Sequence, residues 1–325
     1  MENMLKKIKK FLASVHPTTI LIMTITFLLV LGIYNRFIQD DAFISFRYAE
    51  NFAQGYGLTW NIGDTEPIEG YTNFLWVLLM VPATYLGIDP VLWSMILGFI
   101  FGLGTLFFTY HVSLKITNSR FTALLSILLL GTNYTFSSYI TGGLETQLQA
   151  FLIIFSVHVS LSLSRHKFNL KQDWVLNLGL SVLFSLAIMT RLDSVLICSV
   201  LFLATSYSVI TSQENPRKKT INLVFLIMPS VLIVGSWLLF KYFYYGDILP
   251  NTYYIKAAGN RSLKQGIFYT SVFFVSYGLF PFFTLGRFYF LKALKNYKSL
   301  IVLTSIIMIW TLYIIKVSGD FMEFR

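Results

Sequence analysis

The chain has 325 residues, of which 55% are hydrophobic, 17% aromatic and only 12% charged, with a mean hydropathy of +0.66. A soluble domain carries about twice that share of charge, so the composition excludes a soluble globular protein and implies a polytopic membrane protein. The formal charge of +10 raises the question of nucleic acid, which the placement of the charges answers below.

The N-terminus carries Lys6, Lys7, Lys9 and Lys10, followed from Thr18 by a long apolar run. The run exceeds an ordinary signal-peptide core and no small-residue cleavage site follows, so it reads as an uncleaved first span. A span needs about 20 mostly apolar residues. On that criterion nine are expected, near 18–37, 91–113, 121–134, 145–163, 174–190, 194–211, 221–243, 267–285 and 299–316. The apolar stretch 74–87 is short and carries Pro82, so it reads as an interfacial or re-entrant helix. With the N-terminus inside, the inner segments hold 16 of the 25 Lys and Arg residues, and among the acids only Glu2, Asp173 and Glu214. That is the positive-inside pattern. The positive charge is therefore a topology signal and a headgroup contact, and no nucleic-acid partner is expected. Cys198 stands alone, so no disulfide or thiolate metal site can form. No internal repeat or separate soluble domain is visible, and residues 1–325 read as one membrane domain with outer loops at 38–90 and 244–266.

The first outer loop opens on DDAFISFRYA (40–49). Behind Asp40 and Asp41, Ala42, Phe43, Phe46, Ala49 and Ala53 recur at helical spacing, which predicts an amphipathic helix lying in the interface. One aspartate at its N-cap and the other on its dipole is one reading. A catalytic carboxylate, or a pair sharing a proton or a divalent cation, is the other. The loop continues as GYGLTWNIGDTEPIEGYTNFLW (55–76). Trp60 and Trp76 suit a membrane belt or a sugar platform. Thr72 and Asn73 could cap the next helix, whereas Glu69, beside Tyr71, has no such task. TGGLET (141–146) sets Glu145 at the start of a span. TRLDS (190–194) sets Arg191 and Asp193 in a tight turn, either as a mutual salt bridge or with the guanidinium aimed at a phosphate. YYGDILPNTYYIKAAGN (244–260) supplies Asp247, Asn251, Tyr253 and Lys256, and SGDFMEFR (318–325) supplies Asp320. Every such cluster falls on the outer face at the ends of different spans, and none in mid-span where a transporter would keep its charges.

In this order, DDAFISFRYAENFAQGYGLTWN, EGYTNFLW, GGLET, TRLDS, YYGDILPNTYYIK and SGDFMEFR resemble the AftB/LphB-like membrane glycosyltransferases of GT-C fold, the group of the terminal arabinofuranosyltransferase. The resemblance runs from about residue 36 to the end. It implies a GT-C-like bundle with an extracytoplasmic active site in the bacterial cytoplasmic membrane. It implies a polyprenyl-phosphate sugar as donor, a hydroxyl of an envelope glycan as acceptor, and Asp40 or Asp41 as the catalytic residue. Inverting displacement is expected. Arg191, Arg47 or Lys256 would meet the leaving phosphate. Glu69, Tyr71, Asn73, Glu145, Asp193, Asn251, Tyr253 and Asp320 would line the substrate site. A divalent cation at Asp40 and Asp41 is compatible with this pattern, and no nucleotide motif is present. TRLDS departs from the family, which has Pro after the Arg and Gly after the Asp. Family members also continue past Gly-Asp-Phe-Met, so the usual C-terminal extension is expected to be absent. A lipid-linked sugar flippase or an inactive, truncated family member is the alternative.

Overall fold

The computed structural model describes residues 17–63, 66–165, 173–257, 262–279 and 297–319. Among them lie thirteen helices: α1 (Pro17–Tyr34), α2 (Ala42–Ala53), α3 (Phe74–Leu86), α4 (Pro90–Thr117), α5 (Arg120–Gly131), α6 (Tyr134–Tyr139), α7 (Thr146–Arg165), α8 (Asp173–Thr190), α9 (Ser194–Ile210), α10 (Pro216–Tyr245), α11 (Asn251–Ala257), α12 (Leu263–Ser276) and α13 (Tyr297–Val317). The protein is an all-helical, multi-pass membrane protein.

The expectation of nine spans is corrected. Among the described residues, five helical stretches are long and apolar enough to cross a membrane: Pro90–Thr117, Thr146–Leu163, Asp173–Thr190, Pro216–Tyr245 and Ser299–Val317. Four further apolar helices are shorter, namely Ile22–Tyr34, Phe74–Leu86, Arg120–Gly131 and Ser194–Ile210. The reason is local. An apolar window in the sequence does not reveal where a helix breaks, and at 1.5 Å per residue each lost turn shortens the reach. The run at 121–134 ends at Gly131 because Asn133 starts a new helix, its side chain accepting from the Phe136 N–H. The helix of the run 267–285 ends before Tyr277 and Gly278, the latter at φ +58°, and residues 280–285 of that run lie outside the described residues. The stretch at 74–87 forms a helix of 13 residues that contains Pro82.

The helix after the paired aspartates forms as its spacing predicts, but its inner face is not lipid-facing. Ala42, Ser45, Phe46, Tyr48, Ala49 and Asn51 are buried, and α2 packs along α3. Phe43 is exposed. The core beneath is formed by α3, α4, α7, α8, α9 and α10.

In lipid the hydrophobic effect gives no force between helices, so close packing and interhelical hydrogen bonds carry the assembly. Ser160 of α7 bonds Thr205 of α9 (2.8 Å), and Asn177 of α8 bonds Asn222 of α10 (3.3 Å). Gly98 of α4 lies against the carbonyl of Ile140, where a Cβ would collide with backbone. Pro229 interrupts the hydrogen-bond ladder of α10. The break is repaired from the neighbouring helix, as membrane helices require: the Ser230 N–H donates to Ser181 Oγ (2.9 Å), and Ser230 Oγ donates to the Ser181 carbonyl (2.8 Å). Ser181→Ala removes this acceptor and is expected to cost about 1 kcal/mol. Ser199→Ala, at an exposed serine bonded within its own helix, is expected to leave stability unchanged. Unfolding in mixed micelles checks both.

Candidate functional site

The TGGLET turn between α6 and α7 is the hub of one end of the bundle. Gly143 adopts φ +80°, a conformation that disfavours any side chain, and a Cβ there would strike Ile38 and Ala42. That contact sets the turn against the N-terminus of α2. The segment leading into α2 is laced to the same turn. The Phe37 N–H donates to Thr141 Oγ1 (3.2 Å), and the Gln39 N–H to the Gly142 carbonyl (3.1 Å). From α3, Trp76 Nε1–H donates to the Gly143 carbonyl (3.0 Å).

Glu145 follows in this turn and is fully buried. Its Oε1 accepts from Arg191 Nη1 (3.1 Å) and its Oε2 from Asn73 Nδ2 (2.7 Å). Arg191 also grips Asp193, with Nη2 to Oδ2 at 2.9 Å. Gln149, one turn along α7 from Glu145, donates to Asp193 Oδ1 (3.2 Å) and to Ser194 Oγ (3.1 Å). Asp193 occupies the N-cap position of α9 and Asn73 that of α3, yet neither side chain caps. Both are committed to the network instead. Burial works against the charge of Arg191, but the carboxylates of Asp193 and Glu145 and their hydrogen bonds override it and raise the guanidinium pKa above its usual value. The salt-bridge reading of TRLDS is therefore what the structure shows, with Glu145 as a third member.

Asn73 also exchanges hydrogen bonds with Ser45 of α2 (3.0 and 3.2 Å). Ser45 lies four residues after Asp41, on the same face of the helix. The network thus reaches the surface beside Asp41. Asp41 holds the N-cap position of α2 without a side-chain cap bond, and it is partly exposed. Asp40 is exposed, and its Oδ1 accepts from the Asp41 N–H (3.0 Å) and from Gln39 Nε2 (3.2 Å). Asp41 thus stands where the sequence put a cap but makes no capping hydrogen bond. The two carboxylates are the only acids that the first turn of α2 could offer a cation. Among the described residues no group of three His, Cys, Asp or Glu could hold a metal ion, so a cation at this pair would draw its remaining oxygen ligands from water or substrate.

The other expected residues divide. Arg47 is directed away from this network, with Nε bonded to the Trp60 carbonyl (2.8 Å) and its guanidinium 4.4 Å from the Trp60 ring. Tyr71 is buried and hydrogen-bonds Tyr245 of α10 (3.0 Å), which in turn donates to the Leu58 carbonyl (2.9 Å). Asn251 and Tyr253 are exposed on α11, and the Asn251 N–H donates to the Glu69 carbonyl (3.1 Å). Lys256 lies in α11, and its side chain is outside the described set. Asp320 lies outside the described residues.

Glu69 finds the task that the sequence did not assign it. It is buried against Lys241 of α10, with Oε2 and Nζ 2.8 Å apart and both side chains under 5% exposed. At this distance the ammonium is both the counter-charge and a donor within reach of the carboxylate. The ammonium also sits 5.0 Å from the Trp237 ring. Sequence reading passed over Lys241. The signal was a lysine inside the apolar, aromatic run WLLFKYFYY (237–245), which demands a counter-charge. Burial raises the Glu69 carboxyl to about 7, against the pull of Lys241 and with a small upward push from Asp247.

Two outcomes follow. Arg191→Met leaves the buried Glu145 without its cation and is expected to cost about 3 kcal/mol or more, whereas Arg47→Met costs well under half of that. Denaturant titration measures both. The Glu69 pKa lies above the unfolded value of 4.5. Its contribution to stability is therefore full below pH 4.5 and lost as pH rises through about 7. Glu69→Gln should flatten the pH dependence of unfolding across that window. Comparison with protein-family models, curated proteins and solved structures finds no match to this chain.

Proposed function

We propose that this chain is a membrane glycosyltransferase of the AftB/LphB-like kind. It moves a sugar, arabinofuranose by the family's example, from polyprenyl phosphate to a hydroxyl of an envelope glycan. The reaction takes place on the extracytoplasmic side of a bacterial cytoplasmic membrane. The observation that carries the reading is Asp41: a partly exposed carboxylate with no capping bond, beside a hydrogen-bonded network built from the other motifs. The order of the quoted motifs supports the family, and the basic bias of the opposite segments supports the orientation.

In this reading Asp41 takes the proton of the acceptor hydroxyl as that oxygen attacks the anomeric carbon. The bond from that carbon to the phosphate oxygen breaks, and polyprenyl phosphate leaves with the electron pair. Configuration inverts in the single displacement. Arg191 is already neutralised by two carboxylates, so it serves as the strut of the site and not as the phosphate partner. The exposed Arg36, four residues before Asp40, is the better placed cation for that charge. Glu145, having no exposed surface, fixes the turn and does not touch sugar.

The test is release of polyprenyl phosphate from a panel of lipid-linked sugars by the chain in nanodiscs with envelope glycan present. Asp41→Asn is expected to lower the rate about 100-fold or more, and Asp40→Asn considerably less, with both variants folded. Movement of donor across the bilayer without release would make the protein a flippase. No release from any donor would count against a transferase in this chain alone.

A further inference from the structure

The stretch Glu69–Asn73 has no helix, and its burial alternates. Glu69, Tyr71 and Asn73 are buried, while Thr72 is exposed. Alternation sends every second side chain inward, and each of the three reaches a separate anchor. Glu69 meets Lys241, Tyr71 meets Tyr245, and Asn73 meets Ser45 and Glu145. Lys241 and Tyr245 stand one turn apart on α10, so two of the three anchors are a single helix face. Tyr48 of α2 closes the stretch from the other side. Its hydroxyl donates to the Ile68 carbonyl (2.6 Å) and accepts from the Gly70 N–H (2.9 Å).

We propose that Lys241 is a positioning residue: by countering the buried charge of Glu69 it seats residues 69–73 on α10, and so fixes where Asn73 meets Ser45 and Glu145. The role of that seat in transfer rests on the function proposed above, while the seating itself does not. The ionisable groups facing Glu69 are Lys241 and Tyr245 of α10, Asp247 in the turn after it, Tyr71 of its own stretch and Tyr48 of α2. Only Lys241 is a cation. An ionised Glu69 without it is a buried, uncompensated charge, which favours any opening that returns it to water. A protonated Glu69 carries no such penalty. The seat is therefore tight at low pH and depends on Lys241 at high pH.

The experiment is amide hydrogen exchange of the 66–76 segment in nanodiscs for three full-length proteins: the wild type, Lys241→Met, and the neutral pair Glu69→Gln with Lys241→Met. Variants are compared at equal pH, which cancels the intrinsic pH dependence of exchange. At pH 8, Lys241→Met is expected to exchange on the order of tenfold faster than the neutral pair, with the wild type between them. At pH 5.5 the two variants should coincide. Equal exchange by the two variants at both pH values means that Lys241 acts by packing alone, and overturns the proposal. The readout needs no substrate, so the two readings fall separately. Transfer activity with flat exchange removes only the positioning role. The expected exchange pattern without transfer leaves the seat in place and removes the transferase.

Discussion

A fully buried carboxylate cannot be left unpaired, and Glu145 is one. Much of this end of the bundle follows from satisfying it. Arg191 must come from the α8–α9 turn, which fixes how α8 and α9 stand against the start of α7. Asn73 must come from the entrance of α3, which draws the first loop down onto the bundle. Because Asn73 is spent on Glu145, it can also hold Ser45 and with it the first turn of α2. The position of Asp41 is thus the last link of a chain that begins at a buried charge. A cluster of this kind is weak evidence for stability. Its value lies in geometry, since each member has one place to go.

A second charge problem is solved on α10 and is less complete. Glu69 and Lys241 are both buried, and the ammonium does not bring the Glu69 carboxyl back to its ordinary range. The first cluster is extended by hydrogen bonds to Asn73 and Gln149, whereas Glu69 rests on Lys241. The two buried acids, Glu145 and Glu69, therefore have different characters. One is a fixed strut, and the other is held at the edge of losing its charge.

The bundle between its ends obeys the solvent. Serine, threonine and asparagine pairs join α7 to α9 and α8 to α10, and the kink at Pro229 is mended by Ser181. These polar pairs do inside the membrane what apolar burial does in water. Aromatic packing takes over where the first loop meets α10. There Tyr71 lies near Tyr48, and Phe74 near Trp237 and Phe240.

Composition determined that this is a membrane protein, because so little charge cannot solvate a chain of this length, and the long apolar runs made it helical. The charges also marked the clusters worth watching. Asp41, Asn73, Glu145, Arg191 and Asp193 were all legible as polar residues stranded between apolar runs. The number of spans was not legible, because hydropathy does not see the helix breaks at Thr132 and Tyr277. Nor were the partners legible. Asn73 and Asp193 stand where caps belong and do not cap, and Lys241 lay unnoticed in an apolar run. A side chain's local position sets what it is able to bind. Which of those bonds forms is decided by the charge that the rest of the fold buries beside it, and only the tertiary structure brings that charge within reach.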